Sequence, residues 1–363
     1  MKAFIIGRPF HLFNSINFVL ANHVEADAFI MNEYKDARSH FDRVKEANVF
    51  RNVYFVEDSS LRPHNRLMEV LFAIERGLFP MRILLKAVQE PKITKDQLSS
   101  YTEIFSASPG TFMLSLSVVS NAKYYVLEDG AGTYSGKDFM ANQSLKHRIY
   151  CKVFRSGALN LKVEGVYVYR PEMCNTELSD NILQLPTIDS SNSKLMEAYQ
   201  KTFDKCNDAY RAKFILLSQR LLGLNLNMNL PKFIHSVFRD ADVQDYCYRL
   251  HPAEAGGVLT QNEKFCLPSE MWELLCADYV DDDKVLITIN STAAFSPFKL
   301  YNKEPYVIFI YRVVGLEGVS FTISEDLVNS LKKQYSDPSK IFVANNRNEL
   351  IDIIKKLNSL KSE

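Results

Sequence analysis

Short apolar segments of four to six residues recur along this chain, and most stop at Gly, Pro, Asp, Asn or Ser before a helical stripe begins. Ala3–Ile6 stops at Gly7-Arg8-Pro9 and hands over to a helical pattern across Phe10–Leu20. Ala26–Met31 and Val53–Val56 are further strand patterns, with a helix over Phe41–Ala47 between them. Residues 66–90 read as helical, broken near Gly77 and Pro80. Ile104–Ala107 runs into Ser108-Pro109-Gly110 and a helix to Ser120, and Tyr124–Leu127 runs into Glu128-Asp129-Gly130. Strands alternating with helices predict an α/β fold with a parallel, doubly wound sheet. The glycine-rich dinucleotide fingerprint is missing after the first strand, which disfavours a dehydrogenase.

The second half repeats the pattern. Met196–Ala212 reads as a helical lead-in, Phe214–Gln219 as a buried strand, Phe233–Phe238 as part of a helix and Asp245–Leu250 as a strand ending at His251-Pro252. Phe265–Pro268 precedes a helix over Ser269–Leu275. Lys284–Ile289 is a strand that ends in Asn290-Ser291-Thr292, Tyr306–Tyr311 is another, and Asn348–Leu360 is an amphipathic helix. A chain of 363 residues exceeds one ordinary core. The expected division is 1–195, 196–345 and a C-terminal helix over 346–363, with the polar, turn-rich residues 175–195 as a linker or the approach to the second domain.

Composition narrows the function classes. Lys plus Arg equals Asp plus Glu at 43 each, so no global field points to nucleic acid, and an anionic ligand must be held by local groups. No apolar run is long enough to span a bilayer, which points to a soluble, cytoplasmic protein. The six Cys form no CxxC pair and read as reduced structural thiols. Lys146, His147, Arg148, Lys152, Arg155 and Lys162 lie among apolar residues, a pattern compatible with either a solvated edge or contact with anionic lipid.

Chemistry gathers where strands end. Glu128 and Asp129 follow a buried strand and precede a glycine, so they belong to a sharply bending loop at the strand's carboxyl end. Ligands of open α/β sheets bind at that edge, where a carboxylate can serve as a general base. Ser291 and Thr292 place two hydroxyls where a strand hands over to a helix, a setting suited to an anion or to a plain helix cap. His251, restricted by Pro252, suits a phosphate contact or proton donation. Glu270 sits in the first turn expected of its helix. Asp281-Asp282-Asp283 precedes a strand and reads as a solvated turn.

In order, Arg8-Pro9-Phe10-His11-Leu12, Glu128-Asp129-Gly130, Arg249-Leu250-His251-Pro252, Pro268-Ser269-Glu270 and Ser291-Thr292 resemble the bacterial sialyltransferases of the two-Rossmann (GT-B) fold. The likeness is greatest to the lipooligosaccharide sialyltransferases (glycosyltransferase family 52) and more distant to the bacterial polysialyltransferases. It runs from the first strand to Thr292. It implies two Rossmann-like domains facing a cleft, and transfer of sialic acid from CMP-sialic acid to a galactose-containing acceptor of a capsule or lipooligosaccharide. Asp129 would take the acceptor proton. His251 would stabilise or protonate the departing phosphate, with Arg249, Pro252, Ser291 and Thr292 around it and Glu270 on the ribose hydroxyls. His11, Glu128 and Gly130 would meet the donor sugar or the acceptor. No metal or other cofactor is expected. The implied partners are a nucleotide sugar and a glycan or glycolipid acceptor, with no nucleic acid. A homodimer and a peripheral contact with the inner face of the cell membrane are compatible with the resemblance. Transfer from a glucose, galactose or galactofuranose donor, a noncatalytic role in capsule assembly, and an epimerase or sugar-nucleotide hydrolase also stay open.

Overall fold

The computed structural model describes residues 1–57, 75, 78–107, 110–134, 163–174, 180–203, 208–218, 230–251, 265–266, 270–289, 291–316 and 325–360. The chain divides into two compact units, Met1–Phe203 and Asp204–Glu363. The first contains β1 (Lys2–Ile6), α1 (Pro9–Ala21), β2 (Ala26–Met31), α2 (Ala37–Ala47), β3 (Asn52–Val56), α3 (Pro80–Ala87), β4 (Val88–Glu90), α4 (Lys95–Ser99), β5 (Glu103–Ser106), α5 (Thr111–Ser120), β6 (Lys123–Leu127), α6 (Ala131–Tyr134), β7 (Val163–Val168), β8 (Ile182–Gln184) and α7 (Ser193–Thr202). Its eight strands lie in the order β4-β3-β2-β1-β5-β6-β7-β8. All pairings are parallel except that of the edge strand β4. The direction of winding reverses between β1 and β5, which opens a crevice at their carboxyl ends.

Local chemistry explains these boundaries. Strands buried on both faces need nearly continuous apolar runs, as in β2, where every residue is buried and the one acid, Asp27, accepts from Arg51 through both carboxylate oxygens. Pro9 occupies the first turn of α1, where its missing N–H costs nothing. Asn48 and Asn121 end α2 and α5 in the left-handed conformation that Asn tolerates. Gly165 sits at a close approach: a Cβ there would lie 2.8 Å from Leu183 Cδ1 on β8 and 3.3 Å from the Asn181 carbonyl, so a larger residue would need those neighbours to shift.

The core of this sheet is aromatic. Phe105 stacks on Phe4 at 4.7 Å and on Tyr125 at 5.1 Å, its register neighbours on β1 and β6, while Phe18 of α1 covers it at 5.0 Å. Phe105→Ala should therefore cost about 3–5 kcal/mol, measured by urea unfolding of the full chain. A loss under about 1 kcal/mol would mean that the ring cluster is not a core.

The structure corrects three expectations here. Val88–Glu90 is a strand paired antiparallel with β3 rather than the end of a helix, and the Glu57 N–H donates to the Ala87 carbonyl just before it. Residues 175–195 are not simply a linker: Ile182–Gln184 adds β8 to the sheet and Ser193 opens α7, capped by Asn192. α7 spans the expected border at 195 and belongs to the first unit, where Tyr199 stacks on Phe13 of α1 at 4.4 Å and donates to the Phe13 carbonyl. The basic residues Lys146 to Lys162 lie outside the described residues.

The second unit contains β9 (Phe214–Leu217), α8 (Leu230–Asp240), β10 (Tyr246–Arg249), β11 (Phe265–Cys266), α9 (Trp272–Tyr279), β12 (Val285–Thr288), α10 (Ser296–Tyr301), β13 (Tyr306–Phe309), α11 (Glu325–Gln334), β14 (Ile341–Val343) and α12 (Arg347–Ser359). The strands are all parallel, in the order β11-β10-β9-β12-β13-β14. The winding reverses between β9 and β12, so Ser218 and Ser291-Thr292 follow the two strands that flank this crevice. The C-terminal helix α12 packs against α8 within this unit.

Candidate active site

In the first unit, β1 and β6 deliver His11 and Asp129 to the same sheet edge although 118 residues separate them. His11 lies in the first turns of α1 and is 4 % exposed. Its Nδ1 accepts the backbone N–H of Gly7 at 3.3 Å, so the proton of the neutral ring sits on Nε2. That nitrogen donates to Asp129 Oδ1 at 2.9 Å. Both ring nitrogens are thereby engaged. The Asp129 side chain is 29 % exposed, and Arg8 Nη1 lies 3.4 Å from its second oxygen. The Arg8 side chain is 65 % exposed, and such a surface pair is worth about 0–1 kcal/mol, little barrier to displacement by a ligand.

The loop after β6 is built from inside. Gly130 has φ +89°, a conformation that Gly adopts without strain, and this turns the chain into α6. Asp129 N–H donates to Thr133 Oγ1 at 3.0 Å. Asn14, one turn after His11 on α1, donates to the Glu128 carbonyl at 3.1 Å and accepts from the Tyr169 hydroxyl at 2.9 Å. Glu128 is fully buried. Its carboxylate accepts from the Tyr134 hydroxyl and the Tyr169 N–H, both at Oε2. Burial first, and then the neighbouring Glu128, pushes the Tyr134 phenol well above its usual range, so Tyr134 remains a donor. Glu128 is thus a bracing group inside the fold rather than a contact to donor or acceptor. Asn14, Thr133, Tyr134 and Tyr169 escaped the sequence reading. The signals were the i, i+3 spacing of His11 and Asn14 and the hydroxyls of Thr133 and Tyr134 just beyond the two acids.

In the second unit, Arg249 ends β10 and its side chain is buried. It is 8 % exposed, donates to the Tyr210 hydroxyl and the Glu270 carbonyl at 2.6 Å each, and lies 5.6 Å from the Trp272 ring. Trp272 Nε1–H in turn donates to the Ala293 carbonyl at 2.7 Å. Arg249 is thereby linked through Trp272 to the Ser291–Ala293 loop. Glu270 precedes α9, whose N-cap is Met271, so it is not a first-turn acid; the residue is 8 % exposed. His251 is half-buried, two residues beyond β10. Ser291 Oγ caps the short turn Thr292–Phe295 by accepting the Ala293 N–H, and Ser291 N–H donates to Thr288 Oγ1. The Ser291 hydroxyl proton stays available to an anion after that capping bond. Thr292 is half-buried beside it. Pro252, Pro268, Ser269 and Asn290 lie outside the described residues.

Among the described residues, no three His, Cys, Asp or Glu side chains are grouped to hold a metal ion, and no helix is long and apolar enough to cross a membrane. The Cys174 thiol donates to the Thr133 carbonyl at 3.8 Å, and burial pushes the Cys276 thiol well up. Asp281–Asp283 is an exposed turn before β12.

No family model matches the sequence, and no curated protein matches it. Solved structures do. The kitacinnamycin glycotransferase aligns over 99 % of this chain and 90 % of its own with TM-score 0.52 and 10 % identity. Arabidopsis thaliana UGT89C1 complexed with UDP-L-rhamnose aligns over 99 % and 90 % with TM-score 0.51 and 9 % identity. LpCGTa in complex with UDP gives the same coverage, TM-score and identity. The fold is GT-B. In GT-B terms, β1 to β8 form the N-terminal Rossmann-like sheet and β9 to β14 the C-terminal one. His11 and Asp129 belong to the N-terminal domain, and His251, Ser291 and Thr292 to the C-terminal domain.

Proposed function

We propose that this chain is a glycosyltransferase that moves a sugar from a nucleotide donor to a hydroxyl of a glycan acceptor, with Asp129 as the base. The observation that carries the proposal is the bond from His11 Nε2 to Asp129 Oδ1, with Nδ1 already occupied by Gly7. A histidine whose two nitrogens are both used has no lone pair left to take a proton. The half-exposed carboxylate beside it does, and a positioned base of this kind contributes about 10²–10⁴ in rate.

The acceptor hydroxyl oxygen attacks the anomeric carbon as Asp129 takes its proton. The bond from that carbon to the phosphate oxygen breaks, and its electron pair leaves with the nucleotide. His251, Ser291 and Thr292 hydrogen-bond the phosphate that departs, and Glu270 takes the ribose hydroxyls, without a metal. One displacement inverts the anomeric configuration. GT-B neighbours with UDP and UDP-L-rhamnose support a nucleotide sugar as donor.

The motif order from Arg8 to Thr292 supports CMP-sialic acid as donor and a galactose-terminated surface glycan, of a capsule or lipooligosaccharide, as acceptor. A second reading, a UDP-linked hexose or deoxyhexose as donor, is favoured by the nucleotides of those same neighbours. A thermal-shift panel with CMP, UDP and GDP separates the two. CMP alone should stabilise the chain, by about 2.7 kcal/mol at a hundredfold excess over Kd. Stabilisation by UDP instead moves the donor to the second reading. No shift with any of the three contradicts a nucleotide-dependent enzyme and favours a noncatalytic assembly protein.

A further inference from the structure

The peptide that joins Glu128 to Asp129 is gripped from both sides: Asn14 Nδ2 donates to its carbonyl at 3.1 Å, and its N–H donates to Thr133 Oγ1 at 3.0 Å. Asn14 cannot turn its amide over without losing both bonds, because Tyr169 Oη donates to Asn14 Oδ1. The Glu128 carboxylate, with no exposure at all, ties Tyr134 and the Tyr169 N–H to the same point. The Arg170 N–H donates to the Tyr134 hydroxyl at 3.3 Å, which closes the chain of bonds onto the end of β7. Asn14, Tyr134 and Tyr169 are each 2 % exposed or less.

A buried carboxylate is a poor means of gaining stability, because its desolvation cost rivals what its partners return. A fully satisfied polar network does something else: it rigidifies and selects one arrangement of the groups it touches. What this network touches is the backbone on either side of Asp129. His11 and Asn14 stand one helical turn apart on α1, so one face of one helix holds both the Asp129 carboxylate and the carbonyl that precedes it. The helix therefore fixes the base relative to the rest of the loop.

We propose that Asn14, Glu128 and Tyr134 are positioning residues that fix where the Asp129 carboxylate points during transfer. The proposal rests on Asp129 as base, and a displacement of about 1 Å at such a group costs about a hundredfold in rate. Asn14→Ala and Tyr134→Phe should each lower kcat about 10- to 100-fold, with KM for donor and acceptor within about twofold of the wild type. Tyr134→Phe removes one oxygen and keeps the ring, so it remains informative if Asn14→Ala folds poorly.

A second arm does not depend on turnover. In ¹⁵N-histidine spectra of the full chain, the wild-type His11 ring should show an unprotonated Nδ1 and a slowly exchanging Nε2 proton. Asp129→Ala should abolish that slow proton, and both Asn14→Ala and Tyr134→Phe should speed its exchange at least tenfold. Unchanged exchange, or kcat reduced only in proportion to the folded fraction, would overturn the proposal. If the wild type transfers no sugar, the function fails but the spectra still decide whether the network holds Asp129 against His11.

Discussion

The Asp129→Asn variant is expected to lose about 10²–10⁴-fold in transfer rate with the fold and nucleotide affinity intact. Asn keeps the shape of Asp, and its Oδ1 can still accept the His11 Nε2 proton that now reaches Asp129 at 2.9 Å. The Thr133 bond to the backbone N–H of residue 129 is untouched. What disappears is the lone pair that receives the acceptor proton. Because His11 Nδ1 accepts from Gly7 and Nε2 is already a donor, His11 cannot take over as base without breaking a bond. Steady-state kinetics with saturating donor checks the expectation. A loss below tenfold would place the base elsewhere.

Arg249 carries the second large effect, and it separates two roles for one residue. Arg249→Ala is expected to destabilise the second unit by about 3 kcal/mol or more, because the Tyr210 hydroxyl and the Glu270 carbonyl lose a charged donor inside the fold. The Ser291–Ala293 loop should loosen with it, since Trp272 then loses the guanidinium that lies 5.6 Å from its ring. Urea unfolding measures the stability, and CMP titration measures the loop. If Arg249 were a phosphate ligand instead, donor affinity would fall while the unfolding midpoint stayed where it is. Arg249→Lys keeps the charge but not the two-pronged geometry, and it should recover only part of the stability.

The doubly wound architecture was legible because its strands are buried on both faces. Phe214–Leu217 is an uninterrupted apolar run, and Ala26–Met31 is interrupted only by Asp27, which is buried against Arg51 and Tyr101. Edge elements were not legible. Val163–Val168 contains Glu164 and Gly165, and the close approach of Leu183 and the Asn181 carbonyl to Gly165 is visible only in the fold. Glu325–Gln334 and Ile341–Val343 were likewise passed over, the one mostly polar and the other only three residues long.

At the site, Asp129 was readable from strand-to-turn grammar, and the structure adds the partner that grammar cannot supply, 118 residues away. Glu128 looks identical to Asp129 in one dimension. Only the approach of Tyr134 and Tyr169 turns it inward and makes it structural. Arg249 misled for the same reason: a strand-end arginine reads as an anion ligand until Tyr210 and Trp272 close over it. Short-range spacing identifies which residues stand at the sheet edge, and tertiary packing decides which of them face outward.

The most direct test of the central proposal is nucleotide release from CMP-sialic acid, followed with and without a galactose-terminated acceptor for the wild type and for Asp129→Asn. Acceptor-dependent release by the wild type, with equimolar sialylated product and a loss of at least a hundredfold in the variant, is the predicted result. Release that is indifferent to the acceptor, or equal in the two proteins, would contradict it.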